Sequence, residues 1–115
     1  MSVQLGPLAN RIHTYMNLLS ARQKLVASNI ANADTPDYRT RDIDFQFELM
    51  AATDARSEPD VVEVPGLLVK NDGNDVSLDR EARLLAENAI RFNLAATLMR
   101  GQLKSIRNAI QEGKG

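Results

Sequence analysis

Cysteine is absent from the 115 residues, which removes disulfide frameworks, thiolate zinc sites, iron–sulfur clusters and cysteine nucleophiles together. An excess of either charge sign is missing too. Fourteen Lys plus Arg stand against 15 Asp plus Glu, for a net charge of -1, and that balance speaks against a nonspecific nucleic-acid binder. No run of about 18 apolar residues occurs, so no segment is expected to span a bilayer as a helix. Near the N-terminus, Asn10, Arg11, His13 and Asn17 interrupt any hydrophobic run, and no Sec-type signal is expected.

Catalytic constellations are equally scarce. His13 is the single histidine, with no nucleophile, carboxylate or further ligand patterned around it, and reads as a solvated helix residue. Asp72, Asp75 and Asp79 surround Gly73, but no calcium-loop frame can be drawn through that glycine. The six glycines are scattered and none opens a phosphate-binding loop. Arg39 and Arg41 beside Tyr38 are neutralised by Asp37, Asp42 and Asp44, so a solvated or interface loop is expected there. These absences predict no catalysis, no metal and no cofactor.

What the chain does contain is helical periodicity at both ends, and it predicts a mainly α fold. From Leu5 to Ala33 apolar residues fall at Leu5, Leu8, Ile12, Tyr15, Leu19, Val26, Ile30 and Ala33, in steps of three and four except across Arg22. Gly6 and Pro7 suit the start of this amphipathic helix, and Pro36 stops it. From Leu78 onward the steps are unbroken: Leu78, Ala82, Leu85, Ala89, Phe92, Ala96, Met99, Leu103, Ile106 and Ile110 form a heptad seam. Asp79 is the expected N-cap, Glu81 suits the positive end of the helix dipole, and Arg107 and Lys114 the negative end.

Between the helices, Pro36, Pro59, Pro65, Gly66 and Gly73 punctuate an irregular middle. A short helix is expected over Ile43–Ala52 behind Asp42 or Asp44 as cap. A small hairpin is expected from Val61–Val64 and Leu67–Val69 around Pro65-Gly66. Asn71 to Asn74 read as a turn. The chain thus divides into an N-terminal helix (1–35), a middle (36–75) and a C-terminal helix (76–115) within one domain.

A helix of about 34 residues is roughly 50 Å long, whereas a compact chain of this size has a radius of gyration of about 13 Å. The two terminal helices are therefore expected to pair as a coiled coil. The pairing leaves Ile90, Leu94 and Leu98 as a second stripe, with Leu18 and Leu25 off the main seam of the first helix. Such residues either widen the intramolecular stripe or make an assembly face; long helices on a short chain favour assembly.

The first helix ends in Asn29-Ile30-Ala31-Asn32-Ala33-Asp34-Thr35-Pro36-Asp37-Tyr38. Asn29, Ala31, Asn32, Thr35, Pro36 and Tyr38 make this run resemble the N-terminal signature of the flagellar basal-body rod and hook proteins, with Asp37 where that family usually carries glycine. The segments Arg41 to Phe45, Val76 to Glu81 and Ala86 to Asn93 extend the resemblance, as does the short middle, and they point to the proximal rod members. The resemblance implies a structural subunit polymerising through its terminal helices into the axial drive shaft. It also implies self and other rod subunits as partners, contact with the adapter joining rod to membrane ring, export through the flagellar type III apparatus, and a place in the periplasmic part of the basal body. A different rod paralogue, or a cytosolic coiled-coil export adaptor or chaperone, is the alternative. From their chemistry alone, Asn29 and Asn32 suit capping of the helix end, register-setting in a seam or an export role. The expected assembly residues are Ile12, Leu19, Val26 and Ile30 on the first helix, and Leu85, Phe92, Met99, Leu103, Ile106, Ile90, Leu94 and Leu98 on the last.

Overall fold

Gly6, at φ 97°, takes a conformation that a side chain would resist, and Pro7 follows it as the first residue of α1, Pro7–Ala31. The computed structural model describes residues 6–51 and 58–113. Leu5, Ala52 and Lys114, each of which the sequence pattern uses, lie outside the described residues. The remaining elements are β1, Arg41–Asp42; α2, Phe45–Ala51; β2, Val62–Glu63; and α3, Leu78–Gly113.

α1 and α3 pair antiparallel. Asn29 of α1 bonds Glu81 of α3, and Gln23 bonds Asn88 further along, so rising numbers on one helix meet falling numbers on the other. The pair sets the shape: the molecule measures 69 × 27 × 21 Å with a radius of gyration of 18.2 Å, well beyond the roughly 13 Å of a compact chain this long.

The contact face of α3 is not the predicted seam. Glu81, Leu84, Asn88 and Ala95 are the buried residues of this helix, whereas Leu78, Leu85, Phe92, Leu103 and Ile110 are exposed. Buried positions still recur at three, four and seven residues, so the heptad period holds. Its phase is turned by about 70° around the axis, at 100° per residue. The cause is chemical: two of the four buried residues are polar, and a reading that follows apolar side chains alone assigns them to solvent. On α1 the buried set is Ala9, Ile12, Leu18, Leu19, Val26 and Asn29, so Ile12, Leu19 and Val26 lie where the sequence puts them, while Leu8 and Ile30 are exposed.

Leu18 belongs to the core rather than to a second face. It lies on the side of α1 covered by α2, between Tyr15, whose ring meets Phe45 edge-on at 5.6 Å, and Arg22, whose guanidinium sits 5.7 Å from the centre of the same Phe45 ring. Asp44 caps α2 by accepting from the Phe47 amide at 3.1 Å.

The two short strands of the middle pair with each other: β1 runs antiparallel to β2, with Arg41 opposite Glu63 and Asp42 opposite Val62. The sequence paired Val61–Val64 with Leu67–Val69 instead. An isolated two-strand hairpin is marginal in water, whereas β1 is an edge already held straight against α1, because both backbone polar groups of Arg41 bond the Asn29 side chain. Ser77, not Asp79, caps α3: its Oγ accepts from the Arg80 amide at 3.2 Å and its carbonyl from the Glu81 amide at 3.0 Å.

Candidate functional site

Two features of this helix pair are candidates for function: a polar cluster buried at the loop end, and apolar surface left exposed along α3. The cluster begins at Asn29, which is 1% exposed. Its amide donates to the Arg41 carbonyl at 2.8 Å and to Glu81 Oε1 at 2.7 Å, and its oxygen accepts from the Tyr38 hydroxyl at 3.0 Å and the Arg41 amide at 3.1 Å. Both donors and both lone pairs of the side chain are used.

Glu81, wholly buried, accepts from Arg80 on its other oxygen at 2.6 Å. Arg80 also reaches Asp42 at 2.6 Å, and Arg22 grips the same carboxylate with two bonds of 3.0 and 2.9 Å. Asp42 takes a further bond from the Ile43 amide at 2.7 Å. Two arginines and two carboxylates thus balance, which is the condition under which buried ions persist despite a desolvation cost of several kcal/mol each. Burial works to lower the pKa of Arg80, but its hydrogen bonds and charge contacts with Glu81 and Asp42 outweigh burial and raise it. The cluster ties α1, β1 and α3 into one corner.

The sequence did not single out Arg22, Asp42, Arg80 or Glu81 as a group. Arg22 carried a signal: it is the one break in the apolar steps of the first helix, and it occupies the vacant core-side position.

A second corner closes the end of α1. Asn32 Nδ2 bonds the Ser28 carbonyl at 2.9 Å, the backward reach of a C-terminal cap, and its oxygen accepts from the Thr35 hydroxyl at 3.0 Å. Asn74, fully buried, donates to the carbonyls of Asn32 and Thr35 at 2.9 and 2.8 Å and accepts from the Val76 amide. Lys70 Nζ covers the Ala33 carbonyl at 3.2 Å. Asp75, also buried, accepts from the Thr40 amide and pairs with Arg39 at 3.7 Å. Asp37 takes φ 62°, so the turn is left-handed there despite the missing glycine. Its amide bonds the Asp72 carbonyl at 2.9 Å, beside Gly73, where an added Cβ would overlap the Asp37 side chain.

The motif residues therefore have distinct tasks. Asn29 bridges elements, Asn32 caps, Thr35 holds Asn32, and Tyr38 bonds Asn29 and stands 3.4 Å from the Ser28 hydroxyl. Ala31 is exposed at the last turn of α1, and Pro36 is exposed in the turn beyond it.

Along α3, Ile90, Leu94 and Leu98 are 70%, 60% and 54% exposed. On the flank of the helix pair lies a groove of about 370 Å³, lined by Leu19, Ser20, Gln23, Asn88, Ala89, Phe92 and Asn93. Met99 and Ile106 are half-buried on the same helix, and Leu85 and Leu103 are exposed. Asn88 donates to Gln23 at 3.1 Å, while its buried oxygen has no partner among the described residues. Also among the described residues, no cluster of His, Cys, Asp and Glu could hold a metal ion, and no helix is long and apolar enough to cross a membrane.

An antiparallel helix pair whose buried carboxylates Asp42 and Glu81 are paired with Arg22 and Arg80, and whose apolar side chains turn outward along most of α3, has the form of an assembly subunit. Comparison with known proteins gives the family. Residues 16–39 match the model for the flagella basal body rod proteins. The flagellar basal body rod proteins FlgB of Yersinia enterocolitica and Salmonella typhimurium LT2 are each 34% identical to the chain over 122 aligned positions, covering 85% of it and 89% and 88% of themselves. The protein of the same name from Bacillus subtilis 168 is 25% identical over 99% of the chain and all of its own length. The chain belongs to the flagellar basal-body rod protein family, FlgB type; that family is structural, and the chain is not an enzyme.

Proposed function

We infer that the chain is a structural subunit of the bacterial flagellar basal-body rod, held in the rod by its terminal helices and contributing to the axial drive shaft. The observation that carries this reading is the surface of α3: Ile90, Leu94 and Leu98 stay largely exposed on a helix whose contact with α1 is already made through other residues. Burying three such side chains is worth roughly 5–9 kcal/mol as an upper estimate, comparable with the whole stability of a small domain.

On this reading the subunit leaves the cytoplasm through the flagellar type III apparatus and acts in the periplasmic part of the basal body. Its neighbours there are other rod subunits and the adapter that joins the rod to the membrane ring. The motif from Asn29 to Tyr38 then serves assembly indirectly, by holding the corner from which both helices project.

Deleting the gene tests the reading. Loss of motility and of rods in isolated basal bodies, restored by the wild-type gene with the chain present in the purified structures, is the expected result. Intact rods in the deletion strain would overturn it.

A further inference from the structure

We propose that the far end of α3 docks on an anionic phospholipid bilayer, which it meets with the basic row Arg100, Lys104 and Arg107 and the neighbouring Ile106 and Ile110. The inference goes beyond the rod reading and does not depend on it.

Charge is segregated along the molecule. Glu112 is the only carboxylate in α1 before Ala21 or in α3 beyond Ile90, whereas the same stretches hold Arg11, Arg91, Arg100, Lys104 and Arg107. Every other Asp and Glu lies in residues 21–90. In an antiparallel pair 69 Å long, that places the acidic groups toward the loop end and the basic ones toward the opposite tip. Counting on from the Gln23–Asn88 bond sets Arg11 level with Arg100 and Pro7 level with Lys104. From there α3 runs on for about 13 Å past the start of α1, at 1.5 Å per residue.

Nothing within the subunit answers these charges. All five basic side chains are exposed, and among the described residues none of them pairs with a carboxylate; Arg100 donates to the Thr97 hydroxyl at 3.2 Å. The helix dipole does not account for them, because its effect is concentrated in the last turn and α3 has no basic residue there.

Arg100, Lys104 and Arg107 follow one another by four and three residues, so they form a single row. That row is centred about 90° around the axis from Leu103, Ile106 and Ile110, at 100° per residue. Leu103 and Ile110 are exposed and Ile106 is half-buried. Glu112 lies about 150° from these apolar residues, on the far side of the helix. A basic row beside an apolar one suits a helix resting in the interface of an anionic bilayer: aliphatic side chains enter the headgroup boundary while long Lys and Arg side chains reach the phosphates. A nucleic acid would answer the charge alone. No aromatic residue follows Phe92 for a base to stack on, and a phosphate backbone leaves Ile106 and Ile110 in water.

The test is co-sedimentation of the full chain with vesicles of equimolar phosphatidylglycerol and phosphatidylcholine, against vesicles of phosphatidylcholine alone. Wild type is expected to pellet with the first and not the second, less so as salt is raised. Lys104→Glu combined with Arg107→Glu is expected to bind on the order of tenfold or more weakly, because each basic side chain near the surface adds to the attraction. Lys24→Glu combined with Arg83→Glu makes the same change in net charge at the other half of the molecule and is expected to bind like wild type. All four positions are exposed, and both variants are expected to keep the wild-type circular dichroism. Lys104→Gln combined with Arg107→Gln replaces the first variant if it does not fold.

A wild type that binds neither vesicle or both equally, equal losses in the two double variants, or tighter binding to duplex DNA than to the anionic vesicles would overturn the proposal. None of these results bears on the rod reading, which stands or falls with the deletion strain.

Discussion

Altering Asn29 disturbs four hydrogen bonds to three residues at once, because each hydrogen-bonding position of its amide is occupied. Asn29→Asp would lose the two donors and set a second carboxylate against Glu81; we expect a loss of about 3 kcal/mol, read as a lower urea midpoint with unchanged m. Asp37 and Gly73 form a coupled pair. Gly73 sits at φ 85° with Asp37 against its α-carbon, so Gly73→Ala should cost about 2 kcal/mol. The penalty should be smaller in an Asp37→Gly background, where the overlapping carboxylate is gone. Asp37→Gly by itself should change stability by less than about 0.5 kcal/mol, because relief of the left-handed residue offsets the greater freedom of the unfolded chain. Of these residues, the sequence marked Asn29, Asn32 and Asp37 through the motif. It gave no sign that Asn74, Asp75 and Glu81 are buried, since the partners that make burial tolerable come from segments far along the chain.

At the scale of elements, both long helices and their approximate ends are legible in the spacing of apolar residues, because a period near 3.6 is a local property. The face by which they pair is not local. It depends on Glu81 and Asn88 meeting Asn29 and Gln23 across the interface, and on Arg22 filling the gap in the first helix. The strand pairing escaped for a related reason: β1 finds β2 across 20 residues, while the turn chemistry of Pro65-Gly66 signals only a neighbour. The start of α3 offers a clean test of local chemistry. Ser77→Ala should cost about 1 kcal/mol through the lost cap, and Asp79→Ala only a few tenths through the helix dipole, both measured by urea unfolding.

The whole molecule is an elongated helix pair pinned at one end by charge-balanced side chains, with its apolar excess facing outward. On the proposed reading, that division separates what holds the subunit together from the surface that meets its neighbours. Changes in the Arg22–Asp42–Arg80–Glu81 cluster should lower stability, whereas changes in the α3 stripe should leave the isolated subunit intact. The most direct measurement is quantification of a Leu94→Asp chain in basal bodies purified from a strain carrying no other copy, with circular dichroism of the isolated variant alongside. The account predicts wild-type helicity in solution and a chain missing from the rods. Normal incorporation of that variant would contradict it.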